Sequence, residues 1–125
     1  MHEDAIRDNL DFMFESVELI EKRFSGIRVP EDFVLSSNGT TLLDAVSMRL
    51  QVIGESVRKI QKLDPAYLNR YSDIGWDKLA RFRDFLSHQY ANIDHEIVFD
   101  ICKVHIPQLK TILQKMRADL PDAEG

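Results

Sequence analysis

At 125 residues the chain is long enough for one core and too short for two comfortable domains, and a formal net charge of -5 argues against a general nucleic-acid coat. Five Gly and four Pro leave little room for the turns of a β-sandwich or barrel, whereas long stretches rich in Leu, Ile, Glu, Lys and Arg favour helices. The single Cys102 allows neither an internal disulfide nor a zinc cluster, no apolar run approaches the roughly 18 to 20 residues of a bilayer span, and the opening Met-His-Glu-Asp is acidic where a signal peptide is basic, so the expected compartment is the cytoplasm.

Charge is unevenly placed. Residues 49 to 83 carry eight Lys or Arg against four Asp or Glu, a net +4 that leaves -9 for the remainder. A polyanion is drawn to this middle portion, with Arg49, Lys78 and Arg81 the side chains expected to meet an RNA backbone.

In chain order, Ile6, Leu10, Met13, Val17, Ile20 and Phe24 step by fours and threes and predict a helix over residues 3 to 24. Phe12, Phe14 and Leu19 widen its apolar surface, which suits either a helix central to its own bundle or a subunit interface. Residues 25 to 41 read as a connection with one short helical turn beginning at Pro30, an Asn38-Gly39 turn, and Thr40 or Thr41 as the next helix cap. The second helix is expected over residues 42 to 63, with Leu43, Val46, Leu50, Ile53, Val57 and Ile60 inward. Gly54 within it implies close approach of another helix, and Glu55 is either a surface carboxylate or the partner of an arginine farther along.

Asp64-Pro65 ends that helix and starts a short turn through Tyr67 and Leu68. Helical character resumes from Trp76 to about Ala91, with Leu79, Phe82 and Leu86 on one face. Asp94 then caps a last helix carrying Ile97, Ile101, Val104 and Ile112 towards Met116, kinked at Pro107. The expectation is all-α: an antiparallel four-helix bundle with short extra helical turns, one domain over residues 1–117, and a frayed tail at 118–125.

Metal and common hydrolase motifs can be tested by spacing. Bridged-metal bundles need a Glu three residues before a His, but Phe85, Asn92 and Cys102 precede His88, His95 and His105. There is no His-Glu-x-x-His, no glycine-rich phosphate loop and no Gly-x-Ser-x-Gly elbow, so neither a metal site nor a cofactor is expected. What remains is the cluster Arg83, Ser87, His88 and Tyr90. Metal-free RNA cleavage needs a base for the 2′-hydroxyl proton and a cation for the charge on phosphorus; His88 and Arg83 are the two groups able to supply them.

Geometry complicates that assignment. On an α-helix His88 is rotated by roughly 140° from Arg83. Either Arg83 reaches round on its long stem, or the helix end distorts, or a second copy completes the site across a two-fold axis, which explains most with least. On spacing alone a plainer account is favoured: a surface ion pair for Arg83, a half-buried His88, and a Tyr90 with buried ring and wet hydroxyl. His95 and His105 read as structural or surface residues, and Cys102 as a small core residue.

The motif Arg83-x4-His88-x-Tyr90 resembles the Arg-x4-His-x-Tyr signature of the HepT-like toxins within the HEPN superfamily of helical ribonucleases. Further blocks agree in order: Leu42 to Ser56, Tyr71 to Trp76, Asp94 to Asp100, and Pro107. The resemblance spans roughly residues 3 to 117. It implies a toxin of a HepT/MntA-type toxin–antitoxin system, a homodimeric, metal-independent endoribonuclease whose Arg83 and His88 pairs face a shared cleft. It also implies a partner, an MntA-type minimal nucleotidyltransferase antitoxin that adds AMP to Tyr90 and so places phosphate charge beside the RNA cleft. Asp84 stands where the family commonly has Asn, and a carboxylate there would pair with Arg83, repel the scissile phosphate, or favour a protonated His88. The alternative function is a non-catalytic helical module that binds RNA or the nucleotidyltransferase.

Overall fold

The computed structural model describes residues 2–88 and 93–121, with side chains given outside residues 83–88. Among the described residues all regular structure is helical. Helix α1 (Glu3–Phe24) has Glu3 and Asp4 in its first turn and Lys22 and Arg23 in its last, the arrangement that complements a helix dipole. Its expected stripe is the observed one: Ile6, Leu10, Met13, Val17 and Ile20 are buried. Phe14 is half-buried under the Arg117 guanidinium, 4.5 Å from its ring centre, whereas Phe12 stays 58% exposed.

The short helical turn expected to begin at Pro30 is present, and it carries a core residue. The 3-10 turn Pro30–Phe33 is fastened by Asp32, whose Oδ2 accepts from the backbone N–H groups of Arg28 (2.8 Å) and Val29 (3.2 Å). Those two donors hold the Asp32 carboxyl below its ordinary carboxylate range. Phe33 is thereby driven fully inward, with its ring centre 6.2 Å from that of Phe24.

Helix α2 (Ser37–Leu63) starts five residues earlier than the pattern predicts. Its cap is Ser36, whose Oγ accepts from the Gly39 N–H at 2.9 Å, not Thr40 or Thr41. Both threonine hydroxyls instead donate to the Ser37 carbonyl within the helix. Asn38-Gly39 therefore forms part of the first helical turn rather than a separate turn. Gly39 is there because a Cβ would run into the Asp32 carbonyl oxygen. Alanine normally gains about 1 kcal/mol over glycine in a helix, but here the obstacle is backbone and cannot step aside. We expect Gly39→Ala to destabilise by about 1–3 kcal/mol in a urea melt. A stabilised variant would show that the turn and α2 are not so closely apposed.

All six α2 residues expected inward are buried, as is Gly54. Helix α2 packs on α1 along one side and on α3 (Trp76–His88) along another. Between α2 and α3, Asp64 Oδ1 accepts from the Ala66 N–H (3.2 Å) and a 3-10 turn follows at Leu68–Tyr71.

The last segment is one rod in three parts: α4 (His95–Asp100), a π-helical turn (Ile101–His105) and α5 (Ile106–Asp119). Asp94 caps it as expected, accepting from the N–H groups of Glu96 (3.0 Å) and Ile97 (3.2 Å). The π turn has a local cause. Pro107 has no N–H to offer Lys103, and the Ile106 N–H bonds to the Ile101 carbonyl five residues back. This wider turn rephases the apolar stripe. Val98, Cys102, Ile106, Leu109, Leu113 and Met116 are buried, whereas Ile97 and Val104, both expected inward, are exposed. Helix α5 also continues past Arg117: Asp119 Oδ2 accepts from the Tyr71 hydroxyl at 2.9 Å, and Arg7 donates to the Pro121 carbonyl.

Candidate active site

The site segment begins where α3 is anchored. Trp76 is buried and its Nε1–H donates to the Tyr71 carbonyl at 2.9 Å, which ties the first turn of α3 to the preceding 3-10 turn. Gln61 near the end of α2 donates to Asp77 Oδ1 at 3.1 Å. The second of these contacts fixes the start of α3 against α2. Arg83 and His88 then follow along a rigid element, about 10 and 18 Å from Trp76 along the axis.

The backbone stays α-helical from Trp76 through His88. This removes one way of reconciling Arg83 with His88, a distortion between them. A long arginine stem or a second copy is left. The two Cα atoms are separated by about 7.5 Å of axial rise as well as the rotation of roughly 140°. The side chains of Arg83, Asp84, Ser87 and His88, and the whole of Tyr90, lie outside the described residues.

Residues expected to support the site separate into two sets. Lys78 and Arg81, both exposed on α3, line one groove of about 880 Å³. Arg49, partly buried on α2, is not among its walls; it lies about 18 Å along the helix from Gln61, which is. Glu55 is exposed on α2, the helix on which α3 packs. The opposite wall of the groove comes from the last rod: Ile101 and His105 of the π turn, then Gln108 and Leu109. A single widened turn therefore shapes one side of this hollow.

His105 is exposed and His95 half-buried, in keeping with surface or structural roles; His105 Nε2 lies 3.7 Å from Asp100 Oδ2. Cys102 faces the core, and burial pushes its thiol up to about 12. At pH 8 roughly one thiol in ten thousand is then ionised. Alkylation of the folded protein by iodoacetamide, followed by mass, should be far slower than that of the urea-unfolded chain. Because the folded thiol holds its proton to higher pH than the unfolded one, its contribution to stability is complete below about 9 and declines as pH rises towards 12.

Sequence reasoning missed the groove, although a signal was present. Trp76-Asp-Lys78-Leu-Ala-Arg81-Phe82 interleaves aromatic and basic residues at helical spacing, so that Trp76, Lys78, Leu79, Arg81 and Phe82 all reach one hollow. Among its other walls, Gln61 and Gln108 come from distant helices and carry no sequence mark.

A family model described as "Ribonuclease HepT-like" matches residues 13–116 of the chain. The chain belongs to the HepT-like ribonuclease family of the HEPN superfamily. A "Probable ribonuclease HepT" from Thermococcus cleftensis is 32% identical over 111 residues, covering 89% of this chain and 94% of that one. A Methanocaldococcus jannaschii protein provisionally named an RNase is 32% identical over 116 residues, 91% of either chain. A second protein of that organism, named a gamma-glutamylcyclotransferase and provisionally an RNase, is 32% identical over 111 residues. This HepT-like chain spans about half the length of that last relative, 47%, with 89% of its own residues aligned. No solved structure matches the chain. Among the described residues no helix is long and apolar enough to cross a membrane.

Proposed function

We propose that this HepT-like chain is the toxin of a HepT/MntA-type toxin–antitoxin pair, a metal-independent endoribonuclease of the cytoplasm that works as a two-fold homodimer of antiparallel helical bundles. The observation that carries the reading is the family match over residues 13–116, which includes Arg83 and His88. In the proposed reaction His88 takes the proton of a 2′-hydroxyl, the 2′-oxygen bonds to phosphorus, and the bond from phosphorus to the 5′-oxygen breaks. A protonated histidine returns a proton to the leaving 5′-hydroxyl, and the other product is a 2′,3′-cyclic phosphate. Arg83 holds the non-bridging oxygens as their charge grows.

A dimer is supported by the unbroken α-helical backbone between Arg83 and His88, which leaves the two residues on different faces of one helix. Exposed Phe12 on α1 and Met48 on α2 add apolar surface for a second copy or a partner. Tyr90, two residues past His88, is the proposed AMP acceptor for an MntA-type nucleotidyltransferase. AMP there adds negative charge next to the cleft, which disfavours an incoming phosphodiester. Asp84 follows Arg83 directly, so its carboxylate tempers the positive charge that the site presents.

The test is incubation of purified protein with total RNA in excess chelator, beside Arg83→Ala. Cleavage by the parent chain with 2′,3′-cyclic phosphate ends, absent from Arg83→Ala, is the expected result. No cleavage by protein shown by mass to carry no AMP would return the chain to a non-catalytic RNA- or nucleotidyltransferase-binding role.

A further inference from the structure

We propose that the groove beside α3 binds unpaired bases of the RNA and feeds the strand to Arg83 and His88; this rests on the ribonuclease reading for the identity of its ligand. The groove is of ligand size, about 880 Å³, within the range of sites that enclose small organic groups. It does not end at Phe82. A second hollow of about 230 Å³ continues from it, sharing Lys78, Arg81 and Phe82 and adding Ile97. Two hollows that share a wall, with two cations on that wall, match the repeat of a single strand: base, phosphate, base.

The lining also fits in kind. Trp76, Leu79 and Phe82 offer apolar and aromatic surface for base faces, while the amides of Gln61 and Gln108 offer donors and acceptors for base edges. The acidic residues at the rim do not overturn the charge match. Asp73 and Asp77 offset Lys78 and Arg81 in formal charge within the groove, but the second hollow shares both cations and has no carboxylate in its lining. Position supplies the link to chemistry. Arg81 and Phe82 immediately precede Arg83 on one unbroken helix, so a strand lying over them is within a short oligonucleotide's reach of His88. A purely apolar partner helix would leave the two cations and the amides without partners, at a cost for each one buried.

Trp76 is the sole tryptophan and lines the groove, so it reports on occupancy. The probe is a 2′-O-methyl hexanucleotide, which lacks the nucleophile and cannot be cut. Titrated into the full chain, it should quench Trp76 emission saturably. Gln108→Phe, at an exposed α5 position, fills the groove and should weaken binding about tenfold by anisotropy, the scale of one lost base contact. Lys78→Ala should lower the salt slope of binding by about one. Unchanged affinity and quench in Gln108→Phe would overturn the inference, and so would conversion of a dimer to a monomer by that variant, which would give the groove to a second copy. Cleavage of all-RNA substrate, measured in parallel, separates the two readings. A parent chain that binds through the groove but never cuts removes the ribonuclease and keeps the base site. One that cuts, with Gln108→Phe unchanged in binding and KM, removes the base site alone.

Discussion

Alanine at His88 is expected to lower RNA cleavage by roughly 10²- to 10⁴-fold, the usual contribution of a positioned general acid or base. Binding of an uncleavable oligonucleotide should change little, because the two cations of the groove, Arg81 and Lys78, lie seven and ten residues earlier on the helix. The fold is expected to survive the change, which the melting temperature checks. Rate at saturating RNA, affinity for the 2′-O-methyl probe and melting temperature make the test, measured on one preparation. A variant that keeps its rate assigns proton transfer to another group and leaves Arg83 with electrostatic work alone. A variant that loses rate, binding and melting temperature together would mean that His88 holds the structure instead.

Phe33→Ala should be the most damaging single truncation outside the main helices. Phe33 is fully buried, its ring centre lies 6.2 Å from that of Phe24, and Phe24 in turn lies 5.3 Å from Phe99 of α4. The 3-10 turn thus joins the end of α1 to the start of the last rod. Removing the ring loses the transfer energy of a phenyl group and leaves a cavity among helices that cannot all collapse onto it. The expected loss is about 3–5 kcal/mol. For a chain of this length that is a fall in melting temperature of roughly 10–20 °C. Calorimetry reads it directly, and a fall of only one or two degrees would mean that residues 30–33 are a loose connection after all.

The helical periodicity of α1 and of α2 beyond its first turns was legible because each helix buries a single stripe in one core. Ile6 to Ile20 and Leu43 to Ile60 repeat at the helical period, and burial follows that period whatever the neighbours are. Asp94 was legible as a cap for an equally local reason: its carboxylate needs only the next two N–H groups. The resemblance of Arg83 to Tyr90 to a family signature is likewise a matter of sequence, and those positions lie within the matched span, residues 13–116.

Only the tertiary structure could decide the rest. Ser36 displaced Thr40 and Thr41 as the cap of α2 because Phe33 is pulled into the core, which sets the chain so that helix begins at Ser37 against the Asp32 carbonyl. Pro107 announced a break in the last helix but not its form. A π turn that shifts the inward stripe from Ile97 and Val104 to Val98, Cys102 and Ile106 depends on which register packs against α1. The groove lies furthest from the sequence, since Gln61, Trp76 and Gln108 are separated along the chain and meet only when three helices are placed side by side. A stripe such as that of α1 and a cap such as Asp94 are properties of one helix with itself, so spacing determines them. A hollow is a property of the space between helices, and that space is set by packing.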